Sequence, residues 1–175
     1  MAGSAHTAAE AADAVVAALK AAGIDLVATL PDAWLGETIA RIEADPAMTL
    51  VRVCREEEGV GICAGAFLGG RKACLLGQNA GFLLSVNALT GLGLHHAIPV
   101  LLLLAQRGGP EDDQYFQSYK GRVTAPVLDA INVPHHSLDR IEDAGIIGDA
   151  WRQAWLARYP AAVLMTGRFL RGRSA

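Results

Sequence analysis

From Ile98 to Ala105 the chain reads Ile-Pro-Val-Leu-Leu-Leu-Leu-Ala, eight residues without one polar side chain. An unbroken apolar run of that length suits a strand covered on both faces, as at the centre of a parallel sheet. It is far too short to cross a bilayer as a helix, which takes about 20 such residues. A chain that holds such a strand must also supply helices to cover it.

The flanking sequence does so. Apolar spacing predicts helices over 8–22, closed by Gly23, and over 34–43, stopped by Asp45-Pro46. Further helices are expected over 58–68, from a Gln78-Asn79-Ala80-Gly81 turn towards 92, over 123–131 and over 141–158. Strands are expected over 25–30, 49–54, 72–76, 98–105, 133–138 and 161–166, with a polar loop from 106 to 120. Strands and helices alternate, so the expected fold is one α/β domain: an open doubly wound, mainly parallel six-stranded sheet with helices on both faces. The domain takes in residues 1–175, with a core of about 8–167 and a basic tail over 168–175 read as ordinary solubility.

Net charge is −3, with no basic cluster beyond Arg168-Phe169-Leu170-Arg171-Gly172-Arg173, which argues against nucleic acid as a partner. Cys54, Cys63 and Cys74 are odd in number and lack a Cys-x-x-Cys pair; they read as buried free thiols. No secretion signal or membrane span is visible, and a cytoplasmic location is expected. The apolar content of 52% is high for this length and suggests a surface given over to a partner.

Chemistry concentrates where the 49–54 strand runs into Arg55-Glu56-Glu57-Glu58 and then a small-residue helix, Gly59-Val60-Gly61-Ile62-Cys63-Ala64-Gly65. Acidic residues are favourable in a helix's first turn, yet a glutamate at a strand end faces the crevice where open α/β sheets bind ligands. Gly59-Val60-Gly61-Ile62-Cys63-Ala64 matches the dinucleotide fingerprint on paper, but three glutamates would stand where the pyrophosphate docks. There is no phosphate loop, no nucleophile elbow and no histidine pair at metal-ligand spacing. His95-His96 and His135-His136 read as pairs split between core and surface, and Gly148-Asp149-Ala150-Trp151 as a helix interruption or surface turn.

The Arg55–Ala66 segment, Gln78-Asn79-Ala80-Gly81 and Ile98-Pro99-Val100-Leu101-Leu102 with Arg107-Gly108 closely resemble the pyrimidine-binding domain of thiamine-diphosphate enzymes. Gly121-Arg122-Val123-Thr124-Ala125-Pro126, Leu128-Asp129 and Val133-Pro134 extend the likeness over roughly residues 8–167. Within that group the chain is most similar to the sulfopyruvate and phosphonopyruvate decarboxylases.

The resemblance implies that Glu56, nine residues before Gly65, hydrogen-bonds N1′ of the cofactor's aminopyrimidine and activates it, while Glu57 and Glu58 are helix-start charges. It implies that Pro31, Asn79 and Gly81 also meet the cofactor, and that Asp32, Gln78, Asn79, Arg107 and Lys120 meet substrate, with Arg122 nearby. Asp32 reads equally as a turn or helix-cap residue. Ala33 and Ala80 stand where relatives carry serine, so two hydroxyls are missing near the substrate. No Gly-Asp-Gly motif with a later Asn follows, so the metal and diphosphate site is expected on a separate β chain. That implies an α2β2 or higher heteromer with Mg²⁺ on the partner chain. The implied reaction is loss of CO₂ from a small 2-oxo acid, sulfopyruvate or phosphonopyruvate. The alternatives are a decarboxylase or carboligase for another 2-oxo acid, and a non-catalytic stabilising subunit.

Overall fold

The computed structural model describes residues 6–172. In chain order these form α1 (Ala8–Ala21), β1 (Leu26–Thr29), α2 (Gly36–Ala44), β2 (Thr49–Arg52), α3 (Glu56–Leu68), β3 (Ala73–Gln78) and α4 (Asn79–Ala88). There follow β4 (Leu101–Gln106), α5 (Ser118–Ala130), β5 (His135–Leu138), α6 (Ile146–Ala157), β6 (Ala161–Thr166) and α7 (Gly167–Arg171). The six strands form one sheet in the order β2-β1-β3-β4-β6-β5, and every pairing is parallel.

The apolar run supplies the middle strand, although pairing begins only at Leu101, after Pro99, which has no N–H to give a ladder. Leu101, Leu103 and Ala105 pack with Val27, Leu76, Val163 and Met165 under α1, α2, α6 and α7. Leu102 and Leu104 point the other way, with Ala28, Leu75, Val100 and Leu164, under α3, α4 and α5. Strand period two thus divides one apolar sequence between two cores.

Several boundaries differ from expectation. The 78–81 segment is no turn: β3 passes directly into α4, which continues as a π-helix over Leu89–His95. His95 and His96 end that helix, both exposed and stacked edge to face, while His135 and His136 are both half-buried on the edge strand β5; neither pair splits between core and surface. The expected 141–158 helix breaks at Ala144-Gly145, so Gly148-Asp149-Ala150-Trp151 lies inside α6. Cys54 is exposed; only Cys63 and Cys74 are buried, and burial pushes the Cys63 thiol up to about 12. The basic tail is partly core: Phe169 and Leu170 are buried in α7, while Arg173 lies outside the described residues.

Candidate functional site

β1 sits between β2 and β3, and the chain leaves β1 and β3 towards opposite faces, into α2 and α4. That reversal opens a crevice beyond the C-terminal ends of β1 and β3. The residues expected to meet cofactor or substrate lie at the start of α3 (Glu56), just past β1 (Pro31, Asp32), where β3 enters α4 (Gln78, Asn79, Gly81), just past β4 (Arg107) and in the first turn of α5 (Lys120).

Helix α3 begins at Glu56, two residues earlier than its spacing predicted, so all three glutamates fall in its first turn. They have separate tasks. Glu58 reaches back to accept from the backbone N–H groups of Cys54 at 2.9 Å and Arg55 at 3.4 Å. Glu57 pairs with Arg55 at 3.0 Å. Glu56 turns inward and is only 5% exposed. Among the described residues no side chain donates to its carboxylate.

Two glycines make room for it. A Cβ on Gly77 of β3 would meet Glu56 Cγ at 3.3 Å, and one on Gly81 of α4 would lie 1.9 Å from Glu56 Cδ. Burial holds the Glu56 carboxyl above the usual carboxylate range; its own backbone N–H opposes this, and the negative charge of Asp32 adds to it. A buried carboxyl with a raised pKa and no side-chain partner can exchange a proton with a bound ring nitrogen. The residues present therefore fit an aminopyrimidine.

The other expected contacts are rearranged. Asp32 forms an Asx turn: its Oδ1 accepts from Trp34 N at 2.9 Å, and its Oδ2 accepts from Arg107 Nη1 at 3.0 Å. Arg107, expected at a substrate head group, is 4% exposed and already committed. Its Nε and Nη2 donate to Asp112 at 2.8 and 3.1 Å, Nη2 donates to Gln114 at 2.9 Å, and its plane lies 4.2 Å from the Trp34 ring centre. Asn79, expected to meet cofactor and substrate, is fully buried. Its amide donates to Arg107 O at 3.0 Å and Thr124 Oγ1 at 3.1 Å, and it accepts from Arg107 N at 3.3 Å. Its capacity serves to tie α4 to the end of β4.

Gln78 is half-buried and accepts from Gln117 Nε2 at 3.4 Å; Pro31 is exposed two residues past the end of β1. Lys120 is half-buried, with its ammonium 5.4 Å from the Phe116 ring centre, and Arg122 is exposed on α5. Asp112, Gln117 and Thr124 were not anticipated: Gln117 and Thr124 meet Gln78 and Asn79, 39 and 45 residues away, whereas Asp112 meets Arg107 only five residues away and had a readable signal. Gly77 had a readable signal, since glycine inside a buried strand marks a close approach. A separate cleft of about 440 Å³, lined by Lys72, Trp151 and Trp155, lies by the N-terminal end of β3, away from Glu56.

Residues 9–124 match the family described as thiamine pyrophosphate enzyme, N-terminal TPP binding domain. The chain is 35% identical over 156 residues to the sulfopyruvate decarboxylase subunit alpha of Methanococcus maripaludis, covering 89% of this chain and 93% of that one. It is 40% identical over 117 residues to phosphonopyruvate decarboxylase of Streptomyces viridochromogenes, covering 66% of this chain but only 29% of that longer protein. Among solved structures it is similar to a 2-oxoglutarate:ferredoxin oxidoreductase from Magnetococcus marinus, with a TM-score of 0.71 at 21% identity. That alignment covers 92% of this chain and 29% of the other, and the likeness concerns the fold.

Proposed function

We propose a function on the premise that this chain belongs to the thiamine pyrophosphate enzymes, as their N-terminal TPP binding domain. It is the α subunit of a two-chain, thiamine-diphosphate-dependent 2-oxo acid decarboxylase. The observation that carries this reading is the buried Glu56 carboxyl, met by no side-chain donor among the described residues and pinned by Gly77 and Gly81 at the crevice. The names of its relatives support sulfopyruvate or phosphonopyruvate as substrate.

Glu56 holds and moves a proton at N1′ of the aminopyrimidine, and burial, by raising its pKa, favours the proton-holding form that this exchange needs. Gly81 and Gly77 fix where the carboxyl sits. When bound, thiamine diphosphate supplies the electron sink for loss of CO₂. Gln78 lines the substrate side. Because Arg107 is committed, Lys120 and Arg122 are left as the cations for a sulfonate or phosphonate head group.

The partner is a β chain that holds the diphosphate and Mg²⁺. It docks on the face formed by α3, α4 and the π-helix, where residues 59–70 and 73–94 carry no charge and Leu68 and Leu84 stand exposed. The reading is tested by co-expression with the neighbouring chain and assay of CO₂ release from a panel of 2-oxo acids. Glu56→Gln abolishes turnover while the complex still forms; full activity in that variant overturns the assignment. The engagement of Arg107 also favours a second reading, an uncharged 2-oxo acid as substrate, and the same panel separates the two.

A further inference from the structure

We propose that Arg107 is a positioning residue for Glu56: it holds Asp32 in a buried ion pair and so fixes both the place and the charge balance of the acid across the crevice from Glu56. This rests on the role given to Glu56 above, but stands on separate geometry. The side chains of Asp32, Arg107 and Asp112 are 6%, 5% and 2% exposed. Arg107 donates to Asp32, Asp112 and Gln114 and stacks on Trp34, whose own N–H closes the Asp32 turn. Its backbone is held by Asn79, the first residue of α4, two positions before the Gly81 that touches Glu56. One arginine therefore braces two sides of the Glu56 pocket.

The charges around Glu56 can be named from every side. The β1, β3 and α4 elements contribute none. On α3, Glu57 is paired with Arg55 and Glu58 with the helix-start N–H groups. Across the crevice stand Asp32 and, behind it, Arg107 and Asp112. Asp32 is the anion that Glu56 senses, consistent with its share in raising the Glu56 pKa, and Arg107 is the cation that offsets it. Without Arg107, two buried acids would lose their counter-charge.

The full chain, labelled with ¹³C at glutamate carboxyls, allows the Glu56 titration to be followed by NMR, with Glu56→Gln providing the assignment. Asp32→Asn is isosteric: its amide oxygen still accepts from Trp34 N, while its NH2 stands where Arg107 donated, so the negative charge and the ion pair are removed together; it moves the Glu56 midpoint to lower pH. Arg107→Met moves it to higher pH, and Arg107→Lys returns it towards the parent. Where Arg107→Met does not fold, Asp32→Asn still decides. An unchanged Glu56 midpoint in Asp32→Asn overturns the proposal. Activity in the Glu56→Gln complex would instead sink the functional reading while leaving an Asp32→Asn shift intact, so the two failures are distinguishable.

Discussion

Gly81 and Glu56 share one volume: the Cβ that Gly81 lacks would lie 1.9 Å from Cδ of Glu56 and 2.0 Å from its Oε1. Gly81→Ala therefore expels the carboxyl from its pocket. Alanine is worth up to about 1 kcal/mol over glycine inside a helix, against about 1–3 kcal/mol for overpacking, so the fold survives with a modest net loss. Displacing a reacting group by about 1 Å can cost on the order of 10²-fold in rate. Turnover by the reconstituted enzyme falls by about that factor or more, while the circular dichroism spectrum of the chain is unchanged. Gly65→Ala is the contrast: nothing lies within 4 Å of its Cβ position, and the free chain gains up to about 1 kcal/mol.

Asp112 supplies Arg107 with a two-pronged partner and also accepts from the backbone N–H groups of Gly108 at 2.9 Å and Gln114 at 3.1 Å. Burial alone would raise its carboxyl; the Arg107 hydrogen bonds and these backbone donors outweigh that and hold it below the usual range. Asp112→Ala leaves a buried guanidinium with one acid and costs about 3 kcal/mol or more in urea-monitored stability. The sign for pH follows. With the folded pKa depressed, this contribution is complete above the ordinary Asp value near 3.8 and is lost as pH falls through the folded pKa. An Asp112→Ala deficit that persists undiminished at the lowest pH contradicts this account.

These two cases show where sequence reading succeeds and stops. The Ile98–Ala105 run announced a central strand because two-sided burial is written directly in composition. The Glu56-Glu57-Glu58 run stood out because its carboxylates precede a small-residue helix, a local pattern; the choice of Glu56 among the three came from the resemblance. The resemblance put Arg107 at a substrate head group; its salt bridge to Asp32 spans 75 residues and depends on β1 and β4 ending at the same edge of the sheet, which the sequence does not display. The partners of Asn79 are equally remote, since Arg107 and Thr124, 28 and 45 residues away, take up its amide. The start of α3 was missed by two residues because acidic side chains suit a strand end facing a crevice as well as a helix's first turn.

Leu84 is 62% exposed on α4, in a stretch without charge, so its side chain adds little to the free chain. Leu84→Glu changes the unfolding midpoint of the isolated chain by no more than about 0.5 kcal/mol equivalent. If the β chain docks on this face, the same change buries a charge at the interface and weakens the complex by about 2 kcal/mol or more, some 30-fold in Kd. Analytical ultracentrifugation of the mixed chains reads the difference. Unaltered assembly would place the partner elsewhere.

Glu56 is kept where it destabilises the chain that carries it. Its folded pKa is raised, chiefly by burial, so the folded state holds a proton that the unfolded chain gives up. Stability attributable to this group is therefore complete below the ordinary Glu value near 4.5 and drains away as pH rises through the folded pKa. Glu56→Gln removes the titration while keeping the shape. In urea unfolding of the isolated chain, the variant matches the parent near pH 4 and becomes progressively more stable than the parent towards pH 8. A gap that stays constant across that range, or that opens on the acid side, would contradict the buried, proton-holding carboxyl on which the proposed chemistry depends.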